Sequence, residues 1–191
     1  MPQQPFLPGI VPPTRPAEIR DARLALAAYP DIPVTDLCRH AKVLGRAAEF
    51  LVDSVLTRLA ERVYPADEYE RHDRLILLPD GTPLRVQVKT RHSQSSTGAY
   101  VFNLKQRSAR GCTGKGPYLP EDFDLLAMVV LTENVVAFTA DWQTRHVIEP
   151  GEIPALRRHP RATLDAALMR LGHANAIPGA VDGPDWLDLA A

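Results

Sequence analysis

Residues 73–90 constrain the fold more tightly than any other stretch. Asp73-Arg-Leu-Ile-Leu-Leu78 and Thr82-Pro-Leu-Arg-Val-Gln-Val-Lys-Thr90 are strand-forming runs, and Pro79-Asp80-Gly81 between them is a turn signal. With those three residues as the loop, Leu78 faces Thr82, and counting outward from that pair sets Asp73 opposite Gln87. Strand alternation sends Leu84, Val86 and Val88 into the core and leaves Arg85, Gln87 and Lys89 on the other face. Asp73, Gln87 and Lys89 are thereby expected to be close neighbours on one side of a sheet.

Helical spacing flanks this hairpin. One helix is expected over residues 16–28. A longer one is expected over residues 35–62, with Thr35 as its N-cap and Leu44, Ala48, Leu51, Val55 and Leu59 as its core stripe. Glu49 lies beside that stripe, near Gly45 and Leu56, where a cleft edge would fall. Further on, a strand is expected at residues 100–104 and a second hairpin at 124–131 and 135–139, turning on Thr132-Glu133-Asn134. A last helix is expected over residues 161–171, closed by Gly172. Helix, strand meander and helix in that order indicate an α/β (α+β) domain whose mixed sheet is flanked by helices.

The length of 191 residues suits one domain. Eighteen of them are proline against a usual ~5%. Pro2, Pro5, Pro8, Pro12, Pro13 and Pro16 crowd the start, so residues 1–17 read as an extended arm, 18–172 as the folded domain and 173–191, with Trp186, as a tail. A net charge of -1 excludes a uniformly basic coat. No apolar run reaches the ~18 residues that cross a bilayer, and the first residues lack the pattern of a secretion signal, so a cytoplasmic protein without a membrane partner is expected. Cys38 and Cys112 are too few for a disulfide framework, and Cys38-x-His40 has no matching second pair, which leaves packing as their expected role. Residues 111–116 are not an ATP-binding phosphate loop. Ala109 stands where its first glycine is required, and Gly116 replaces the serine or threonine after Lys115.

The chemistry concentrates at the first hairpin. A carboxylate from Asp73 and an amide oxygen from Gln87 are hard donors of the kind Mg²⁺ takes, and Glu49 could supply another. Lys89 beside such an ion could position the attacking water and stabilise the charge of a phosphoryl transition state. Residues 81–120 contain no Asp or Glu although the chain holds 23, and Arg85, Lys89, Arg91, Lys105, Arg107, Arg110 and Lys115 all fall there. Such a stretch suits a phosphate-rich partner. Arg107, Arg110 and Lys115 sit on a glycine-rich loop that could track a nucleic-acid backbone, contacts that position without specifying sequence.

Gly45-Arg-Ala-Ala-Glu49, Asp73 and Val86-Gln-Val-Lys-Thr90 together resemble the signature of the PD-(D/E)xK nuclease superfamily, over residues 42–142. The branch resembled is the Q-x-K one, with bacterial intron-encoded endonuclease-like members. The resemblance implies a restriction-endonuclease-like core with a mixed four- to five-stranded sheet. It implies Asp73 as principal metal ligand, Gln87 in place of the usual acid, Lys89 as catalytic lysine, Glu49 as helix-borne acid and the Val88 carbonyl as a further metal contact. It also implies Mg²⁺, with Mn²⁺ as a substitute, and DNA as the partner, with Arg85, Arg91, Lys105, Arg107, Arg110 and Lys115 holding it. Two departures stand out: His72 precedes Asp73 where the family has proline, and Gln87 removes one negative charge. The resulting expectation is a Mg²⁺-dependent DNA endonuclease. The alternatives are a weakly active or inactive nucleic-acid-binding module of the same fold, and a protein-interaction domain. Symmetric cleavage of a duplex needs two active sites, so a homodimer or higher oligomer is the matching assembly.

Overall fold

A computed structural model describes residues 17–104 and 118–179. The described residues separate into two compact units, one up to residue 41 and one from residue 42. In the first unit, α1 (Ala17–Ala25) runs into a 3₁₀ turn (Leu26–Ala28) and is followed by α2 (Val34–Arg39). Arg39 and His40 lie 3.4 and 3.8 Å from the Asp21 carboxylate. Cys38 is exposed and free, so packing is not its role; Cys112 lies outside the described residues.

The second unit begins within α3 (Ala41–Arg58), whose buried residues are Leu44, Ala48, Val52, Val55 and Leu56. The expected long helix is therefore two. Its N-cap is Pro33 rather than Thr35, and it breaks at His40, where no proline or glycine marks the stop. It also ends earlier than expected, because Ala60 adopts a left-handed φ of 63°. The Glu61 N–H reaches back to the Leu56 carbonyl and the Ala60 N–H to that of Thr57, the closure that ordinarily takes glycine. Alanine is a strong helix former, so nothing in the local sequence announces this end.

The early stop leaves room for β1 (Arg62–Pro65), an edge strand not expected from periodicity. It pairs antiparallel with β2 (Arg74–Leu77), which forms the expected hairpin with β3 (Pro83–Arg91). Arg74 faces Val86 and Leu77 faces Pro83, the register obtained by counting from the turn. The loop is closed by the Leu78 N–H on the Thr82 carbonyl, and Gly81 takes the positive φ of 89° that the turn requires. β4 is Tyr100–Asn103. β5 (Leu125–Val130) lies parallel to β3 and antiparallel to β6 (Val135–Thr139), so the main sheet has the order β1-β2-β3-β5-β6. This is a mixed α+β architecture of five strands with helices at its flanks, as expected.

The strand at residues 100–104 does not join that sheet. It pairs instead with β7 (Arg145–Ile148), also unexpected, as a separate two-stranded ribbon. Tyr100, Phe102 and Ile148 from the ribbon pack with Leu126, Met128, Val130, Val135 and Ala137 of the sheet, and Ile153 of α4 (Ile153–Arg158) joins them. The alternate residues Leu125, Ala127 and Val129 are buried too, so β5 is covered on both faces. On β6, α5 (Ala162–Arg170) is docked, with the Thr163 hydroxyl accepting from the Phe138 N–H at 3.1 Å. Gly172 closes α5 at a φ of 83°. Among the described residues no helix is long and apolar enough to cross a membrane.

Candidate functional site

β2 ends its ladder at Arg74, and Asp73 continues it with its side chain. The Asp73 N–H still donates to the Val86 carbonyl at 2.9 Å, but the next acceptor on that edge is the Asp73 carboxylate, which takes the Val88 N–H at 2.7 Å. The Gln87 amide nitrogen donates to the same carboxylate oxygen and, at 3.2 Å, to the Val88 carbonyl. Asp73, Gln87 and Val88 are thus drawn together by three hydrogen bonds, two of them from the Gln87 amide nitrogen and one from the Val88 N–H. Only 4% of Gln87 is exposed.

Burial pushes the Asp73 carboxyl above the usual carboxylate range; the Val88 N–H and the nearby charges of Lys89, Arg74 and His72 pull against it without prevailing. Lys89, two residues along β3, turns to an aromatic partner. Its Nζ donates to the Tyr118 hydroxyl at 2.8 Å and stands 4.6 Å from the centre of that ring.

Parallel register fixes which face these groups occupy. Gln87 pairs with Leu126 and Lys89 with Met128, both members of the ribbon-side cluster, whereas Val86 pairs with Leu125. Arg74 pairs with Val86 and so belongs to the opposite face, where α3 supplies its partners. Its Nε and one terminal nitrogen grip Asp53 at 2.5 and 3.1 Å, while the other terminal nitrogen reaches Glu49 at 3.2 Å and the Asp73 carbonyl at 2.7 Å. Glu49 therefore connects to Asp73 through the Arg74 guanidinium. Of the expected four, Asp73 and Gln87 touch, Lys89 adds its charge beside Asp73, and Glu49 lines the same cleft as Asp73 with Arg74 bonded to both. No group of three or more His, Cys, Asp and Glu side chains among the described residues is placed to hold a metal ion.

An open cleft of about 630 Å³ runs past this point. Carboxylates dominate its wall, with Glu49, Asp53, Asp67, Glu68, Glu70 and Asp73 set against Lys42, Arg46 and Arg74. Among the described residues, Arg85, Lys89 and Arg91 of the expected basic field are not part of its wall. Arg85 is committed to Asp124, with its Nε and a terminal nitrogen on the carboxylate at 3.0 and 2.8 Å, and it also donates to the Glu121 carbonyl. It is therefore a clamp rather than an open phosphate contact. The acid that neutralises it is far away in sequence and arrives through the parallel pairing of β3 with β5. Arg91 is exposed, with its Nε donating to the Val101 carbonyl. Lys105, Arg107, Arg110 and Lys115 lie outside the described residues.

No protein-family model matches the chain. Over 104 residues it is 38% identical to protein 5.3 of Escherichia phage T7, covering 54% of this chain and 81% of that protein. The chain belongs to the protein 5.3 family. This protein 5.3 relative is also similar to a bacterial homing endonuclease, I-Ssp6803I, with a TM-score of 0.48 and 20% identity over 56% of this chain and 76% of that one.

Sequence reasoning missed three residues that the structure places around this point. Arg74 was hidden as an ordinary polar position in a strand, though Glu49 and Asp53, one helical turn apart, are a pair of acids suited to a guanidinium. Asp53 was hidden as an ordinary polar position on a helix. Tyr118 carries no local signal, because only the tertiary structure brings the segment before β5 against Lys89.

Proposed function

We propose that the chain is a metal-assisted DNA endonuclease acting at Asp73, Gln87 and Lys89. The observation that carries this reading is the meeting of the Asp73 carboxylate, the Gln87 amide and the Val88 carbonyl beside Lys89, at the buried end of β2 where Asp73 faces an open cleft. The donor set fits a hard divalent ion. Two oxygens already converge on one polar centre, and a buried carboxylate with a raised pKa lacks the countercharge a cation would supply. Asp73, the Val88 carbonyl and the Gln87 side-chain oxygen would hold Mg²⁺ or Mn²⁺, with Glu49 reaching it only on release from Arg74. Bound there, the ion would polarise a phosphodiester and acidify a water molecule.

The remaining tasks fall to the chain's own groups. Lys89, held by the Tyr118 hydroxyl, carries the positive charge that stabilises an additional negative charge on a phosphoryl oxygen. Arg74 positions the edge by gripping the Asp73 carbonyl from behind. The acidic cleft wall repels a nucleic-acid backbone until cations neutralise it, which ties substrate entry to divalent-ion binding.

A second reading has its own support. Gln87 satisfies the Asp73 carboxylate without any cation, as a weakly active or inactive nucleic-acid-binding module of the same fold would require. Plasmid nicking with and without Mg²⁺ or Mn²⁺ separates the two. Wild-type protein should nick in the presence of the ion, and Lys89→Ala should lose at least about a hundredfold in rate, the scale of one transition-state charge contact, with its melting temperature unchanged. Full activity in Lys89→Ala would remove the lysine from the mechanism; no nicking by the wild type under any divalent ion would leave the binding module.

A further inference from the structure

The residue that holds Lys89 is the first of a row of aromatic rings. Tyr118 meets Phe123 edge to face at 5.5 Å between centres, and Phe123 meets Trp142 at 4.8 Å with the planes tilted by 35°. Phe123 is 4% exposed and anchors the row in the ribbon-side core; Trp142 keeps 42% of its surface in solvent. The row is held firmly at both ends. The Asp122 carboxylate accepts the Leu119 N–H at 2.7 Å, which shapes the segment between Tyr118 and Phe123. Asp141, beside Trp142, has its N–H on the Thr139 hydroxyl at 3.0 Å and its carboxylate 2.6 Å from Arg170.

An open indole backed by a buried ring, in a row that begins at a lysine charge, is the arrangement that receives a flat apolar ring attached to a phosphate. Aromatic side chains stack on bases of any sequence, and a base presents its face only where it is unpaired. A paired duplex hides those faces. We infer that Trp142, with Phe123 behind it, is a stacking site for unpaired nucleobases, so that the substrate handled at Lys89 is single-stranded DNA or the unpaired part of a branched one. This rests on the nuclease reading, whose phosphate site it extends.

The test keeps binding apart from cleavage by supplying Ca²⁺ in place of Mg²⁺, which neutralises the acidic cleft wall while the hydrolytic ion is withheld. A fluorescein-labelled oligothymidylate and the same strand annealed to its complement are titrated with wild-type protein, Trp142→Ala and Trp142→Phe. The single strand should bind more tightly than the duplex. Trp142→Ala should weaken single-strand binding about five- to a hundredfold, the range for losing one base–aromatic stack, with little effect on the duplex, and Trp142→Phe should retain most of the affinity. In a Trp186→Phe background, where Trp142 is the only indole, the oligothymidylate should quench its emission. Duplex preferred by the wild type, or equal single-strand affinity in wild type and Trp142→Ala, overturns the inference, and the nuclease reading survives if plasmid nicking persists. No binding of either DNA overturns both. Should Trp142→Ala melt early, the wild-type preference, the quench and Trp142→Phe decide the matter.

Discussion

Asp73 stands in a position that a neutral residue would occupy at lower cost. Its folded pKa is raised by burial, so it binds its proton more tightly in the native than in the unfolded chain. The stabilising contribution of that proton is complete below the unfolded value of about 3.8 and is lost as the pH climbs through the higher native one. At neutral pH the burial of this carboxyl therefore works against folding. Asp73→Asn, which keeps an acceptor for the Val88 N–H, is expected to raise the melting temperature of the ion-free protein at pH 7 while abolishing nicking. The gain should shrink as the pH is lowered, and thermal melts over a pH series would reveal a constant or reversed difference if this account is mistaken. Among single residues, the Asp73–Gln87 contact was legible because a turn and a period of two determine it. The Arg85–Asp124 clamp was not, because the partner acid sits on a strand with no local relation to Arg85.

At the scale of elements, two joints connect α3 to the sheet. The first is its C-terminal closure at Ala60, where a side chain occupies left-handed backbone at a cost of about 1 kcal/mol that glycine avoids. Ala60→Gly is therefore expected to stabilise the protein by roughly 0.5–1 kcal/mol, read as a shifted urea midpoint at constant m-value. The second joint is Arg74, 6% exposed, with Asp53 and Glu49 as its partners from the helix. Arg74→Met would leave both acids without their countercharge and is expected to cost on the order of 3 kcal/mol, less than a fully buried triad because each carboxylate keeps some contact with water. An unfolding free energy within error of wild type would show the network to be dispensable. Element type was readable where periodicity ran long, as in α3, β3 and α5. Ends and short edge strands were not: the break at His40, the stop at Ala60, and β1 and β7 answer to tertiary pairing rather than to local propensity.

For the whole molecule, the sharpest reporter is stability linked to ion binding, since anything that binds only the native state raises the melting temperature. In the proposed site Gln87→Glu sets a second carboxylate against Asp73, which destabilises the ion-free protein and strengthens the pull on a divalent ion. The variant should melt below wild type in a chelator, and millimolar Mg²⁺ should raise its melting temperature more than that of wild type. Equal Mg²⁺ shifts in calorimetry would remove Gln87 from the ion's surroundings.

The sequence by itself determined the α+β class, the first hairpin with its register, and the neighbourhood of Asp73 and Gln87. Each of these follows from turn chemistry and strand periodicity, which act between residues close along the chain. Only the tertiary structure decided that Arg74 stands between Glu49 and Asp73, that Asp124 occupies Arg85, and that Tyr118 receives Lys89. Those contacts span from 25 to 39 positions of chain. Their partners are chosen by how the sheet's two faces are covered, a property that no local pattern of residues encodes.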